Sequence, residues 1–183
     1  MRQMNRKAFA ALFILLTLPA AFFAAAQGWK ADNLSILDKA GKIIFSTPVP
    51  FGFRFTTSYI HSVERTPVED EYALCGGRLW VWQERVKSSN AGMPCLKPEH
   101  GLYIGTPEWM IFQGGRESWE RFFLRVGNEE FGRNKLRMPP FGETELFKRL
   151  PEERLTIAAS ADAIVNSRTT GIEALFGKKP SEN

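Results

Sequence analysis

Two runs of alternating residues joined at a proline constrain this chain most. From Phe53 onward, Phe53, Phe55, Thr57, Tyr59 and His61 share one parity, while Arg54, Thr56, Ser58, Ile60 and Ser62 share the other. After Glu64-Arg65-Thr66-Pro67 the alternation resumes from Val68 to Leu74, with Tyr72 and Leu74 on a common face. A period of two in aromatic and β-branched residues is the pattern of a half-buried strand. Pro67 has a fixed φ and no N–H to give a ladder, so it belongs at the corner or at the first position of the second strand. A four-residue corner pairs Val63 with Val68, setting His61 opposite Asp70 and Tyr59 opposite Tyr72. An imidazole and a carboxylate then meet beside Glu64 and Thr66 at the rim of an apolar face. A bulge would shift each of these partners by one.

The flanking segments extend the same pattern. Leu34–Asp38 and Lys42–Ser46 are joined by a short link containing Gly41, the signal of a hairpin that Thr47-Pro48-Val49-Pro50 then breaks. Gly76-Gly77 tolerates the positive φ of a tight two-residue turn and leads into Leu79–Val86. Trp80 and Trp82 share one face of that strand and Leu79 and Val81 the other, which predicts a central strand buried on both sides, its tryptophans in the core. Residues 96–108 read as irregular, Trp109–Gln113 as a strand, Glu117–Val126 as a strand from about Arg121, and Phe131–Met138 and Glu143–Leu150 as two more. Arg154–Ala159 predicts a last strand and Thr170–Phe176 a capped helical turn. The expected fold is mainly β, an antiparallel β-sandwich or barrel-like single domain over 27–177.

Before that domain, Arg2, Arg6 and Lys7 form a basic region, Ala8–Phe23 an apolar one, and Ala24-Ala25-Ala26 a small-residue cleavage site. Residues 1–26 therefore read as a secretory signal peptide, or as an uncleaved anchor, and the domain is expected to be periplasmic or otherwise extracytoplasmic. The full chain carries a formal net charge of +4. Removing those three basic residues leaves +1, so the basicity belongs to the leader and argues for no nucleic-acid partner. Residues 178–183 read as a disordered tail. Cys75 and Cys95, an even pair in an oxidising compartment, are expected to form a disulfide. In the chain-entropy view, closing a loop of about 20 residues contributes ~3 kcal/mol.

The run His61-Ser62-Val63-Glu64-Arg65-Thr66-Pro67-Val68-Glu69, with Tyr72 downstream and then Asn90-Ala91-Gly92-Met93-Pro94, resembles the domain of unknown function 1850 family. The likeness covers roughly residues 34–126. Asn90 stands where that family has Gly, and Met93 where it has Leu. The resemblance implies a small exported bacterial protein that works beside TRAP transporters of the TAXI type, with transporter subunits or a small solute as partner. It implies no defined activity.

For chemistry, His61 with Asp70 and Glu64 is the one constellation worth weighing. It reads as a ligand site to which Ser62, Thr66 and Glu69 add polar atoms, or as a structural corner in which His61 and Glu64 satisfy the turn. Two histidines in the chain give no familiar closed zinc site. Ser62 points to the opposite face from His61, and no nucleophile elbow is present. The expectation is a non-enzymatic accessory or binding domain with no cofactor or bound metal. Its recognition surface comprises His61, Ser62, Glu64, Thr66, Pro67, Glu69 and Asp70 with Gly92 and Pro94. The alternatives are a small hydrolase or metal-dependent enzyme built on His61 and Asp70, and a structural module of the cell envelope.

Overall fold

The computed structural model describes residues 30–89, 92–115, 117–163 and 168–177. The leader expected over 1–26, the tail over 178–183, and Asn90 and Ala91 of the glycine turn lie outside the described residues. Among the described residues, twelve strands and two short helices follow in order. They are β1 (Lys30–Leu37), β2 (Ile43–Val49), β3 (Phe53–Ile60), β4 (Pro67–Cys75), β5 (Arg78–Val86) and β6 (Gly101–Gly105). Then come β7 (Met110–Gly114), β8 (Ser118–Trp119), β9 (Arg121–Arg125), β10 (Gly132–Met138), β11 (Gly142–Glu145) and α1 (Leu146–Arg149), and last β12 (Arg154–Ala163) and α2 (Ile172–Phe176).

The strands form two open antiparallel sheets. The smaller has the order β2-β1-β12-β9, and the larger β11-β10-β3-β4-β5-β7-β6, with β8 also pairing β5. Alternation in each strand turns one apolar row inward. Leu34, Ile36, Phe45, Leu155 and Ile157 from the small sheet meet Phe55, Tyr72, Leu74, Leu79, Leu136 and Met138 from the large one. Each such side chain contributes about 1.5–3 kcal/mol when withdrawn from water, so this cluster is the main source of the sandwich's stability. Tyr72 stacks between Phe55 and Phe122, with ring centroids 5.2 Å and 4.7 Å away, tying the two sheets together through aromatic contact.

Buried Asp32 of β1 makes a second tie. Its carboxylate accepts the backbone N–H groups of Gly76 (3.1 Å) and Gly77 (2.6 Å), clamping the β4–β5 turn of the large sheet onto the small one. Both glycines hold positive φ, 62° and 72°, as their two-residue turn requires.

The small sheet covers only part of the large one. A separate cluster of Val68, Val86, Met93 and Phe112, flanked by Tyr59 and Met110, draws only on the large sheet and on the loop carrying Met93. Val68 has the parity of Tyr72 and Leu74, so both clusters occupy the same inner face.

Several expectations need correction. β2 continues through Pro48, which sits on an edge strand where a missing N–H is tolerated. Glu143–Leu150 is not one strand: β11 ends at Glu145 and Leu146–Arg149 turns helical, burying Leu146 and Phe147. The 96–108 segment contains β6, which pairs β7. The tryptophan face of β5 is not core, since Trp82 is 37% exposed and stacks under the Arg54 guanidinium at 4.0 Å. Finally, Cys75 and Cys95 are free thiols, half-buried and exposed respectively, so the expected disulfide is not formed. Cys75 lies on the parity of Ala73, opposite to Leu74, whereas the loop bearing Cys95 packs Met93 against the inner face.

Candidate functional site: a carboxyl pair on the inner face

The β3–β4 corner is longer than a four-residue turn. Ile60 pairs with Pro67 and Tyr59 with Val68, so six residues, 61 to 66, make the connection. The His61 N–H bonds the Thr66 carbonyl at 2.9 Å, and the Arg65 N–H bonds the His61 carbonyl at 2.9 Å. Arg65 takes φ 56°, a left-handed conformation that closes the corner. The Nδ1 of His61 accepts the Glu64 N–H at 3.2 Å, which places the proton of a neutral ring on Nε2. The Glu64 carboxylate accepts the Ser88 hydroxyl at 2.9 Å, holding the corner to the segment after β5. Arg65 lies over the Phe131 ring, 5.6 Å from its centroid. Ser62 and Val63 are exposed at the tip.

This register overturns the expected pairing of His61 with Asp70. Asp70 lies opposite Thr57, three residue pairs from the end of the ladder, and Tyr72 lies opposite Phe55. The expected dyad, and with it the enzyme built on His61 and Asp70, loses its geometry. Glu69 points to the outer face, where it pairs with Arg85.

Asp70 has a different neighbour. Near the Gly76-Gly77 turn the β4–β5 ladder runs Cys75↔Arg78, Leu74↔Leu79, Ala73↔Trp80 and Tyr72↔Val81. An uninterrupted ladder would set Asp70 against Gln83. A bulge between Glu71 and Tyr72 leaves Trp82 as the extra residue, and the register resumes as Glu71↔Gln83 and Asp70↔Glu84. Trp82 stays on the outer face with Trp80, and the bulge swings Glu84 and Val86 onto the inner one. Two carboxyls become direct cross-strand neighbours, whose Cβ atoms are separated by about 4.5–5.5 Å in such ladders.

Their surroundings are partly buried and largely apolar. Asp70 and Glu84 lie between the two apolar clusters, with Tyr72 and Val81 one pair away on one side and Val68 and Val86 on the other. Burial, and then the charge of Glu84, pushes the Asp70 carboxyl up from 3.8 to about 7. Burial also raises Glu84. Tyr59 is pushed to about 12 by burial, then by Asp70 and Glu84. Burial and then Asp70 raise Tyr72 further, and Thr57 hydrogen-bonds its hydroxyl. Two carboxyls set side by side and partly buried disfavour double ionisation, which is why Asp70 keeps its proton above the usual carboxylate range.

Glu84 opens onto a cleft of about 310 Å³. Its walls include Val81, Phe112, Pro94, Leu96 and Pro98, and its polar side chains are Glu84, Glu99 and Glu117. Among the described residues, no Lys, Arg or His lines it. Its described lining thus combines apolar side chains with carboxylates. The glycine turn also contributes: Met93 is buried in the second cluster and Pro94 roofs the cleft, while Gly92, at φ 86°, remains exposed. Of the site residues expected from the sequence, Asp70 and Pro94 thus gather at this inner position, Asp70 behind Glu84 and Pro94 above it. His61, Ser62, Glu64 and Thr66 stay at the corner.

A larger hollow of about 570 Å³ on the outer face takes Pro67 and Glu69 with Ser58 and Ile60. Its charges answer one another, for example Lys135 to Glu143 at 3.1 Å and Lys148 to Glu145 at 2.7 Å, which leaves little net field for a ligand. Among the described residues, no cluster of three or more His, Cys, Asp or Glu side chains is arranged to hold a metal ion.

Glu84, the central carboxylate, was not expected from the sequence. Its signal was the unbroken run Leu79–Val86, in which Glu84 takes the core parity only once an extra residue is inserted. Residues 55–139 match the family model described as Domain of unknown function (DUF1850). No curated protein and no solved structure matches the chain.

Proposed function

We propose, for a chain that belongs to the domain of unknown function 1850 family over residues 55–139, the role of an exported, non-enzymatic binding domain that works beside a TRAP-type solute uptake system. The observation that carries this reading is the cleft at Glu84, which among the described residues is lined by apolar side chains and three carboxylates and by no cation. Such a slot suits a small solute with a positively charged group and an apolar body, because burying an ammonium or guanidinium demands a paired, desolvated counter-charge. Of the segments resembling the family's two motifs, the second lines the cleft through Pro94 and packs Met93 against Val68 of the first, while Asp70 pairs across the ladder with Glu84. The link to TRAP transport rests on the resemblance alone.

The exposed corner favours a second surface. Val63 is 70% exposed at its tip, next to Arg65, in a turn held rigid by His61 and Glu64. On this reading the corner contacts a transporter subunit while the cleft holds the solute.

Calorimetric titration with alkylammonium and alkylguanidinium probes tests the solute reading. Binding is expected for these cations and not for alkylcarboxylates of the same length. Glu84→Gln should abolish it with the melting temperature maintained. Equal binding of the carboxylates, or binding that survives in Glu84→Gln, refutes it. Val63→Asp should leave probe binding intact and impair solute uptake in cells if the corner docks a transporter subunit.

A further inference from the structure

We propose that the free edge of β6 pairs antiparallel with the β6 edge of a second copy of this chain, joining two large sheets into one. The observation is independent of the cleft. A sheet edge exposes unpaired backbone groups and invites pairing unless it is charged, interrupted or covered. Three of the four edges here are treated in that way. β2 contains Pro48, and Ser46 exchanges backbone bonds of 3.1 Å and 2.7 Å with Thr170, which covers the strand. β9 places Arg121 and Arg125 along its edge, and β11 is four residues long, with Glu143 and Glu145. β6 reads Gly101-Leu102-Tyr103-Ile104-Gly105 and has neither charge nor proline. Leu102, Tyr103 and Ile104 are 58%, 49% and 41% exposed.

The occupant follows from the sequence of the strand. It is nearly a palindrome about Tyr103. A two-fold axis at Tyr103 sets Tyr103 against its own copy, Leu102 against Ile104 of the second chain, and Gly101 against Gly105. Every pair is apolar or small, and such pairs are the units that stabilise a ladder. Beyond these five residues the chain turns away at both ends, through the Gly101 N–H to Pro98 carbonyl bond of 3.0 Å and the Thr106 N–H to Trp109 carbonyl bond, so the ladder is confined to β6. An isologous contact of this kind closes on itself as a dimer and leaves no further edge to propagate.

The backbone is in phase with that axis. The Thr106 N–H bonds the Trp109 carbonyl at 2.8 Å and closes the β6–β7 hairpin. Antiparallel bonding alternates from there, so Ile104 and Leu102 bond toward β7 while Tyr103 and Gly105 turn their N–H groups to the open side. The residue on the proposed axis is therefore one whose N–H and C=O both face outward. Tyr103 is also held in place, its ring 5.3 Å from that of Phe112.

Light scattering coupled to gel filtration, over a dilution series, tests the pairing. The wild-type protein is expected to run as a dimer that dissociates on dilution. Tyr103→Lys sets two ammonium groups against each other across the axis and should raise the dissociation constant by at least about ten-fold, with the circular-dichroism melt maintained. Mixing Tyr103→Lys with Tyr103→Glu protein should restore a mixed dimer. A wild-type protein that is monomeric at every concentration overturns the proposal, as does a dimer indifferent to Tyr103→Lys. Should that variant fail to fold, amide exchange of the wild type decides. The Tyr103 and Gly105 amides are expected to gain protection as concentration rises, and protection independent of concentration overturns the pairing.

Discussion

Replacing Asp70 by Asn should flatten the pH dependence of folding stability. In the native state the Asp70 carboxyl holds its proton up to about 7, against 3.8 for a free side chain, because burial and then Glu84 disfavour its charge. Between those two values the folded protein binds more protons than the unfolded chain, so stability falls as pH rises through the window from about 4 to 7. Below it both states are protonated and above it both are ionised, so the loss is complete beyond about pH 7. At 1.36 kcal/mol per pH unit the full span corresponds to at most ~4 kcal/mol, and partial access of solvent brings the expected loss to about 2–4 kcal/mol. Asparagine is nearly isosteric and cannot ionise. Urea unfolding followed by tryptophan fluorescence, repeated from acid to mildly basic pH, reads the difference between variant and wild type. Other titrating groups cancel in that difference, Glu84 included, because its burial-driven rise remains in both proteins. The stability advantage of Asp70→Asn should grow with pH across the window and then level off. An advantage constant with pH, or one that shrinks as pH rises, refutes the placement of Asp70 beside Glu84 in a partly buried site.

Two further outcomes follow from the fold. Asp32→Ala removes the acceptor of the Gly76 and Gly77 N–H groups and strands both at a sheet junction, so unfolding free energy should drop by about 2–4 kcal/mol in denaturant titration. Cys75 and Cys95, being free, should both react with a thiol reagent in the unfolded protein, and a reductant should leave the melting temperature unchanged.

The period-two rows and the glycine turns made the sheets legible in the sequence. Phe53, Phe55, Tyr72 and Leu74 share the inner face as their parity requires, and the β4–β5 hairpin turns at Gly76-Gly77. What stayed hidden was register. The corner takes six residues because His61 and Thr66 close it with a backbone bond and Arg65 adopts a positive φ, a cost that sequence pattern does not display. Those two extra residues move Asp70 away from His61. The bulge at Trp82 was equally silent, because Leu79–Trp82 is apolar on both parities and gives no sign that the register shifts midway. Parity fixes which residues share a face, whereas loop length and bulges decide which of them meet, and the carboxyl pair depends on the second. Glu143–Leu150 failed for another reason: Leu146 and Phe147 are both buried, which a helical turn achieves and a half-exposed strand does not.

The unequal sizes of the two sheets separate what must stay fixed from what is free to vary. Where sheet faces sheet, a changed side chain disturbs neighbours on two layers at once. Beyond the reach of the smaller sheet, a single methionine and two prolines on one connection shape the space in front of Glu84. On the proposed solute-binding role, a different Gly92–Pro98 segment would accept a different guest on an unaltered frame, and a selection for new binding partners should draw its substitutions from that segment before any other.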